Sequence, residues 1–227
     1  MAVRCKGVHC PQEIMLTCVR WYVAYPLSTR HVEERMRERG VPVDHATVNR
    51  WVVKYSPQRE EAVHRRKQPV RLSWRMDETS SKGKGEWRYR SRAMDQMGQT
   101  IDFLLTEPRD EPAATCFLTK AIRRHGVPEQ ITIDGSAANE AAIKRDHEAH
   151  GTAIDIRQMT YLHNVVEQDH RGVKRVTRPR LGFKSFAAAH DTRVGIELMH
   201  MLKKRQLVVE AGDEALTPAA QFDALAA

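Results

Sequence analysis

The 227-residue chain lacks the features that mark secreted, membrane-spanning and repetitive proteins. No apolar run approaches the roughly 18 residues that a membrane span needs, and no apolar signal segment with a small-residue cleavage site opens the sequence. Four cysteines in a chain of this length make no disulfide framework. With 41% hydrophobic and 29% charged residues, the composition predicts a soluble globular protein in the cytoplasm, without a membrane partner.

Positive charge is confined to the first third of the chain. Residues 1–76 hold 15 Lys and Arg against 7 Asp and Glu, whereas residues 77–227 hold 22 of each class. The whole net charge of +8 therefore lies in the first segment. Such a segment attracts a polyanion, and double-stranded DNA is the partner that we predict.

Three helical patterns fill residues 1–56. The second, residues 27–40, has Ser28 as a candidate N-cap and Gly40 as a candidate left-handed residue after its last turn. The third, residues 44–55, presents an outward face of polar and basic side chains: Thr47, Asn49, Arg50 and Lys54. Two helices joined by such a turn are typical of a helix-turn-helix domain, whose second helix enters the major groove. A plain three-helix packing domain is the alternative.

Residues 57–71 are rich in charge and have no apolar periodicity, which predicts a linker or an exposed connecting helix. After this segment the sequence pattern changes from helical to strand-like. Three strand-like runs follow: LSWRMDETS, EWRYRSRAMD and TIDFLLT. A helix, the strand EQITIDG and three more helical segments then reach residue 205. This order predicts a mixed sheet with helices on its faces over residues 72–206, followed by a C-terminal tail at residues 207–227.

Three carboxylates stand where a metal site could form. Asp77 and Asp134 each end the apolar part of a predicted strand, and Glu167 lies in a predicted helix. Converging carboxylates repel one another unless a cation neutralises them, and Mg²⁺ prefers such oxygen ligands. Each acid also has a plainer reading, as a turn residue, an arginine partner or a solvated helical residue. Of the other acids near the sheet, we predict a turn at Asp95 and an outward-facing strand position at Asp102.

Four motifs resemble those of one family: WRMDET, ITIDG, NVVEQDHRGVKR and LGFKSF. In this order they are similar to the Asp-Asp-Glu transposases of bacterial insertion sequences, in particular the insertion-sequence-six family of the retroviral-integrase-like superfamily. The resemblance covers nearly the whole chain. It implies a ribonuclease H-like α/β fold preceded by an all-α helix-turn-helix domain. It also implies that Asp77, Asp134 and Glu167 bind metal, Mg²⁺ with Mn²⁺ as a substitute.

The resemblance also implies DNA contacts in the predicted helix that contains Glu167. Lys174, seven residues after Glu167, falls where the family keeps a basic residue near the DNA end, and we count it among the catalytic residues. Glu167, Arg171, Lys174 and Arg178 follow one another at three- and four-residue steps, so they share a helix face. The predicted DNA-binding residues on this face are Arg171, Lys174 and Arg178.

The chain departs from the family pattern at two places. Ser80 and Ser81 follow Asp77-Glu78-Thr79 where the family continues with aromatic and β-branched residues. The second strand places Arg88, Arg90 and Arg92 on one face, where unpaired burial would be costly. An exposed or DNA-facing strand side would explain these arginines, and so would a decayed element copy.

The predicted function is DNA transposition. The first domain recognises the element's terminal inverted repeats, and the second cleaves each 3′ end and joins it to target DNA. Two element ends need two active sites, so the form on DNA is predicted to be a homodimer or larger. A non-catalytic helix-turn-helix regulator derived from a transposase is the first alternative. A ribonuclease H-like nuclease acting on RNA–DNA hybrids is the second.

Overall fold

The computed structural model describes residues 10–83, 86–159, 163–177, 185–208 and 216–225, except for the side chains of residues 81–83, 86–87 and 163–168. In this part of the chain the helices are α1 (Gln12–Ala24), α2 (Thr29–Arg37), α3 (His45–Arg66), α4 (Glu111–His125), α5 (Ala137–His150), α6 (His163–Thr177), α7 (Phe186–Lys203) and α8 (Pro218–Ala224). The strands are β1 (Ser73–Gly83), β2 (Glu86–Asp95), β3 (Thr100–Thr106), β4 (Gln130–Ile133) and β5 (Asp155–Gln158). Two compact units result: a sheet unit, Pro69–His170, and a helical unit, Met1–Gln68 with Arg171–Ala227.

The sheet unit is built on one mixed five-stranded sheet. The strand order is β3-β2-β1-β4-β5, with β1, β2 and β3 antiparallel and β1, β4 and β5 parallel. Hairpins connect the first three strands, whereas α4 and α5 form the crossovers that parallel pairing requires. The predicted mixed sheet with flanking helices is confirmed.

Alternation along β1 separates the core of this unit from its polar face. Trp74 and Met76 are buried in an apolar cluster that α4 and α5 complete with residues such as Phe117 and Ile143. Because successive strand residues point to opposite faces, Asp77 lies on the other side of the sheet. Its direct partner on β2 is Arg92, so the two charges lie side by side on that face.

The helical unit packs the N-terminal helices against α7. Gly195 of α7 allows close approach, because a Cβ atom there would lie 2.6 Å from Ser56 Oγ and 2.7 Å from Val23 Cγ1. The Ser28 hydroxyl accepts from the backbone of His31 and caps α2, and Gly40 has a φ of 72°, both as predicted. Residues 171–206, which we had assigned to the domain of the sheet, lie in this helical unit.

Of the two forms predicted for residues 57–71, a linker or an exposed connecting helix, the first ten residues are helical, because α3 continues through Pro57 to Arg66. Val63 and Arg59 are fully buried there, and the Arg59 guanidinium lies 4.5 Å from the centre of the Phe222 ring of α8. An arginine in a buried position hides the apolar periodicity that would have revealed the helix. Packing then outweighs the hydrogen bond that the proline removes.

Two elements had no counterpart in the prediction. β5 is a short edge strand, exposed at Asp155 and Arg157, so its sequence shows no apolar alternation. α8 lies within the predicted tail, and its Phe222 is buried. None of the described helices is both long and apolar enough to cross a bilayer.

Candidate active site and DNA-binding surface

Asp77 lies midway along β1 with its side chain 22% exposed. Its Oδ2 atom is 3.2 Å from Nδ1 of His170 on α6. The same Nδ1 atom is 2.6 Å from the hydroxyl of Thr79, which shares the Asp77 face of the strand. The carboxylate is therefore reachable from solvent and held on one side by a buried imidazole.

Asp134 follows the last residue of β4 and is half-buried. It accepts a hydrogen bond of 3.3 Å from the backbone of Ser136, across Gly135 with its φ of 82°. In the β1–β4 register Ser73 pairs with Gln130 and Arg75 with Thr132, so partners differ by 57 positions. Asp77 and Asp134 also differ by 57 positions, and each lies just beyond the paired residues of its own segment. Both carboxylates are near enough to Glu78 for their charges to act on its carboxyl group.

Glu78 adds a third acid to this edge of the sheet. Burial raises the pKa of its carboxyl group, the Arg109 guanidinium 2.6 Å away opposes that shift, and the charges of Asp134 and Asp77 raise the pKa further. Negative charge is therefore concentrated around the two aspartates. The sequence analysis did not select Glu78, because an acid next to Asp77 in a strand points to the other face by alternation alone.

α6 approaches this carboxylate pair through two polar contacts from consecutive residues. His170 meets Asp77, and Asp169 forms an ion pair of 2.6 Å with Arg92, with side chains 5% and 0% exposed. The backbone of Glu167 lies in α6, three residues before His170 and so on the same helix face. The side chain of Glu167 is outside the part that the structure describes.

The predicted DNA-binding residues at the end of α6 have different positions. Lys174 is half-buried and Arg171 is exposed, and both belong to the helical unit. Arg178 lies outside the described residues. Within α6, Gly172 packs against His200 of α7, whose Cε1 atom would be 2.9 Å from a Cβ atom at that position.

The arginine face of β2 is buried rather than exposed. Arg90 and Arg92 are 3% and 1% exposed, so the interpretation of a solvent- or DNA-facing strand side is wrong. Arg92 pairs with Asp169 and also donates to the Thr100 hydroxyl at 2.7 Å. Arg88 pairs with Glu107 at 2.8 Å. The acids that neutralise Arg88 and Arg92 lie outside β2, so a pattern along that strand cannot reveal them.

The outward-facing prediction for Asp102 is wrong for the same reason. Asp102 is fully buried and lies 3.0 Å from Lys120 Nζ and 3.2 Å from an Arg124 nitrogen, both on α4. Asp95 instead forms the predicted turn, since its carboxylate accepts from the backbone of Met97 and Gln99. Both acids have structural partners of their own in the sheet unit.

The first turns of α3 carry the predicted DNA-reading face. Arg50 and Lys54 are exposed, whereas Thr47 and Asn49 are half-buried. The Thr47 hydroxyl donates to Asp44 at 2.7 Å and accepts from Arg50 at 2.7 Å. Hydrogen bonds from the Thr47 hydroxyl and backbone hold the pKa of Asp44 below its usual value. The cap of α3 thereby orients the arginine.

Comparison with known proteins agrees with this architecture. Residues 71–206 match the family model of IS240-type transposases, described as a DDE domain. The transposase for insertion sequence-like element IS431mec of Staphylococcus aureus strain Mu50 is 35% identical over 196 residues, or 86% of each chain. The transposase for insertion sequence element IS257 in transposon Tn4003, also from Staphylococcus aureus, has the same identity and coverage. The solved HTLV-2 integrase catalytic core domain in complex with magnesium is 16% identical with a TM-score of 0.45, over 69% of this chain and 99% of that one.

A DDE domain on a mixed, helix-flanked sheet defines a class of protein, the DDE-type polynucleotidyl transferases. The chain belongs to the insertion-sequence-six family of Asp-Asp-Glu transposases. The predictions of the family, of the fold class and of a transposase enzyme are confirmed.

Proposed function

We propose that this transposase binds the terminal inverted repeats of its element through α2 and α3. It then cleaves each 3′ end and joins the end to target DNA at a site formed by Asp77, Asp134 and Glu167. The observation that carries the proposal is the position of Asp134 directly after β4, the parallel neighbour of the strand that holds Asp77, with the Glu167 face of α6 meeting Asp77 through His170. Family membership supplies the DNA substrate and the class of reaction.

The donor set fits magnesium. Asp77 and Asp134 offer carboxylate oxygens from adjacent strands, and their charges raise the pKa of the neighbouring Glu78 carboxyl. A cation would relieve this repulsion, and Mg²⁺ is the ion that prefers such oxygen ligands while retaining open positions. Bound Mg²⁺ supplies charge stabilisation to the attacking and leaving oxygens of a phosphodiester displacement. Mn²⁺, which favours the same ligands, is the substitute that we propose.

The reaction has two displacements at phosphorus. In the first, the oxygen of water forms a bond to the phosphorus at the element end, and the 3′ oxygen of the element leaves as a hydroxyl group. In the second, this 3′-hydroxyl attacks a target phosphodiester and displaces the target's own 3′ oxygen. Because water and DNA supply the nucleophiles, the chain has to position the reactants rather than form a covalent bond to them.

The basic residues of α6 position the DNA. Lys174 lies two helical turns after Glu167, about 10 Å along the axis. Its ammonium group only donates hydrogen bonds, so it contacts phosphate or base rather than metal. Arg171 and Arg178 extend this contact along the backbone. Their role is to hold the terminal nucleotides beside the carboxylates.

End recognition is assigned to the first turns of α3. Arg50 and Lys54 are exposed there, and the segment that contains them holds the net charge of +8. Thr47 and Asn49 complete the proposed reading face at its half-buried edge. Two ends must be cut and joined together, so we propose a dimer or larger assembly on DNA.

The alternative of a non-catalytic regulator has lost part of its basis. Two of the three β2 arginines that suggested a decayed copy have acidic partners, Arg92 in Asp169 and Arg88 in Glu107. Ser80 and Ser81 remain departures from the family pattern. Metal-dependent cleavage of an element end separates the two functions directly.

The test is cleavage of a labelled element end in Mg²⁺ or Mn²⁺ by three variants: Asp77→Asn, Asp134→Asn and Glu167→Gln. We expect each to abolish cleavage and to leave end binding in gel-shift titrations largely unchanged. Asp155→Asn is the matched control, because its exposed carboxylate lies on the edge strand of the same sheet. Near-normal cleavage by a triad variant would reject that residue as a ligand. No cleavage by the unmodified chain would favour the regulator.

A further inference from the structure

His170 has a position that helix docking alone does not require. Its side chain is 3% exposed, and its Nδ1 atom faces two acceptor-capable groups of β1, Asp77 Oδ2 at 3.2 Å and Thr79 Oγ1 at 2.6 Å. Asp77 and Thr79 share one strand face, so the imidazole edge lies across both. The same atom thus contacts the Asp77 carboxylate and its neighbour on the strand.

The contacts select one form of the ring. A carboxylate only accepts hydrogen bonds, so an Nδ1 lone pair facing Asp77 Oδ2 would be repelled. With the hydrogen on Nδ1, the ring donates to the carboxylate, and the Thr79 hydroxyl oxygen accepts a share of the same hydrogen. The Nδ1–H tautomer is therefore the form that fits both partners.

A second contact already docks this part of α6. Asp169 forms a buried ion pair with Arg92, which lies opposite Asp77 in the β1–β2 register. The helix is thus anchored one residue earlier, on the neighbouring strand. The distinct consequence of the His170 contact is the orientation of the Asp77 carboxyl group, one oxygen of which is engaged by the ring.

We propose that His170 is a positioning residue that fixes the Asp77 carboxylate for metal binding. The ring holds Oδ2 through Nδ1–H and keeps the Asp77 side chain in one rotamer. The side chain therefore loses little conformational entropy when the ion binds. Residues that hydrogen-bond to metal ligands commonly contribute about 10–100-fold in metal affinity or activity. This inference rests on the proposed function, in which Asp77 is a ligand.

Two substitutions in the full chain separate positioning from packing. The amide nitrogen of His170→Asn can occupy the place of Nδ1, whereas that of His170→Gln lies one bond further out, near the place of Nε2. We expect His170→Gln to weaken calorimetric Mn²⁺ binding by about 10–100-fold and to raise the Mg²⁺ concentration for half-maximal cleavage equally. His170→Asn should stay within a few-fold of the unmodified chain. His150→Asn is the matched control, because His150 forms a similar 3.0 Å contact with Asp146 at the far end of α5.

Three results decide the inference. Equal Mn²⁺ binding by the asparagine and glutamine variants, or a loss of stability with unchanged metal affinity, would overturn it. Nitrogen NMR of histidine-labelled unmodified protein is independent of variant folding: the His170 signal, assigned with His170→Asn, should show a protonated Nδ1 that shifts as Mg²⁺ saturates. A bare Nδ1 would also overturn it. Asp77→Asn keeps the two proposals apart. If this variant still cleaves DNA, Asp77 is not a ligand and the proposed function fails at that residue. If Asp77→Asn loses cleavage while His170→Gln cleaves and binds Mn²⁺ normally, only the positioning role is rejected.

Discussion

The sheet around the candidate active site and the first turns of α3 treat charged side chains in opposite ways. In the sheet unit, Arg92, Asp102 and Asp169 are buried and neutralised by partners from other elements. In the helical unit, the charges proposed to read DNA are exposed on the first turns of α3, at Arg50 and Lys54. The sheet thus uses charge to join elements, whereas the first turns of α3 present charge outward.

This difference in the burial of charge follows from the function proposed for each region. A site of two aspartates needs a helix fixed beside the sheet, and the Arg92–Asp169 pair forms that link in a buried position. A surface that meets phosphates gains from mobile, hydrated cations instead. Buried pairs are costly to desolvate, so removing one partner should destabilise far more than removing an exposed charge.

Arg92→Met should therefore give the largest change in stability. Methionine fills much of the volume but deprives the buried Asp169 carboxylate of its guanidinium partner, 2.6 Å away. We expect the free energy of unfolding to fall by about 3–5 kcal/mol. Urea titration followed by the fluorescence of Trp74, which is buried in the same unit, measures this change.

Two controls sharpen that result. Arg88→Met lies on the same strand face but loses only a partner that is 57% exposed, Glu107, so we expect a change of about 1 kcal/mol or less. The double variant Arg92→Met with Asp169→Leu should recover much of the stability, because no charge is then left in the contact. A single variant no less stable than the Arg88 control would contradict the structural role of the pair.

The same contrast explains how far the sequence predicts the molecule. Apolar alternation located β1 to β3, the cap at Ser28 located α2, and the polar and basic face of residues 44–55 located the start of α3, because these signals are local. The errors come from buried charged residues. Arg59 interrupts the apolar pattern in the second half of α3, and Asp102 was predicted to face outward from the sheet. Their partners, Phe222 and Lys120, are far away in sequence, so no local pattern contains them.

The candidate site was predictable in part for a similar reason. Asp77 and Asp134 end apolar runs and belong to motifs of the family, and the two runs form the neighbouring strands β1 and β4. His170 was visible in the fourth motif, but its contact with Asp77 depends on how α6 packs on the sheet. Glu78 gave no signal, since its significance depends on the charges that surround it. Motifs reveal ligands, and packing reveals the residues that hold them.

Gly195→Ala tests the helical unit with a purely steric change of intermediate size. The new methyl group would lie 2.6 Å from Ser56 Oγ and 2.7 Å from Val23 Cγ1, so α7 has to move away from α1 and α3. We expect a loss of about 1–3 kcal/mol in the free energy of unfolding. Urea titration monitored by the circular dichroism of the helices measures this loss.

Gly172→Ala is the matched control on α6. Its methyl group would meet only the end of the His200 ring, 2.9 Å away, which rotation of that side chain can relieve. The better helix propensity of alanine also offsets part of the cost. As a second control, the double variant Gly195→Ala with Ser56→Ala should be more stable than Gly195→Ala alone, because the Ser56 Oγ atom that the new methyl group meets is removed. Equal losses for both glycine variants would contradict the close packing of α7 at Gly195.

Variants on the exposed face of α3 should change DNA binding rather than stability, and they separate two kinds of DNA contact. Arg50 is oriented by the Thr47 hydroxyl at 2.7 Å, so we expect it to read a base edge, and Arg50→Ala should weaken binding of the element end by about 1–3 kcal/mol while changing random DNA little. Lys54, one turn later, is exposed and is expected to contact phosphate. Lys54→Ala should weaken both DNAs alike and lower the slope of log K against log salt by about one phosphate contact. Fluorescence anisotropy of both DNAs at several salt concentrations measures the four affinities. If Arg50→Ala lowered the two affinities equally, the arginine would be a phosphate contact, and the orienting bond from Thr47 would have no part in recognition.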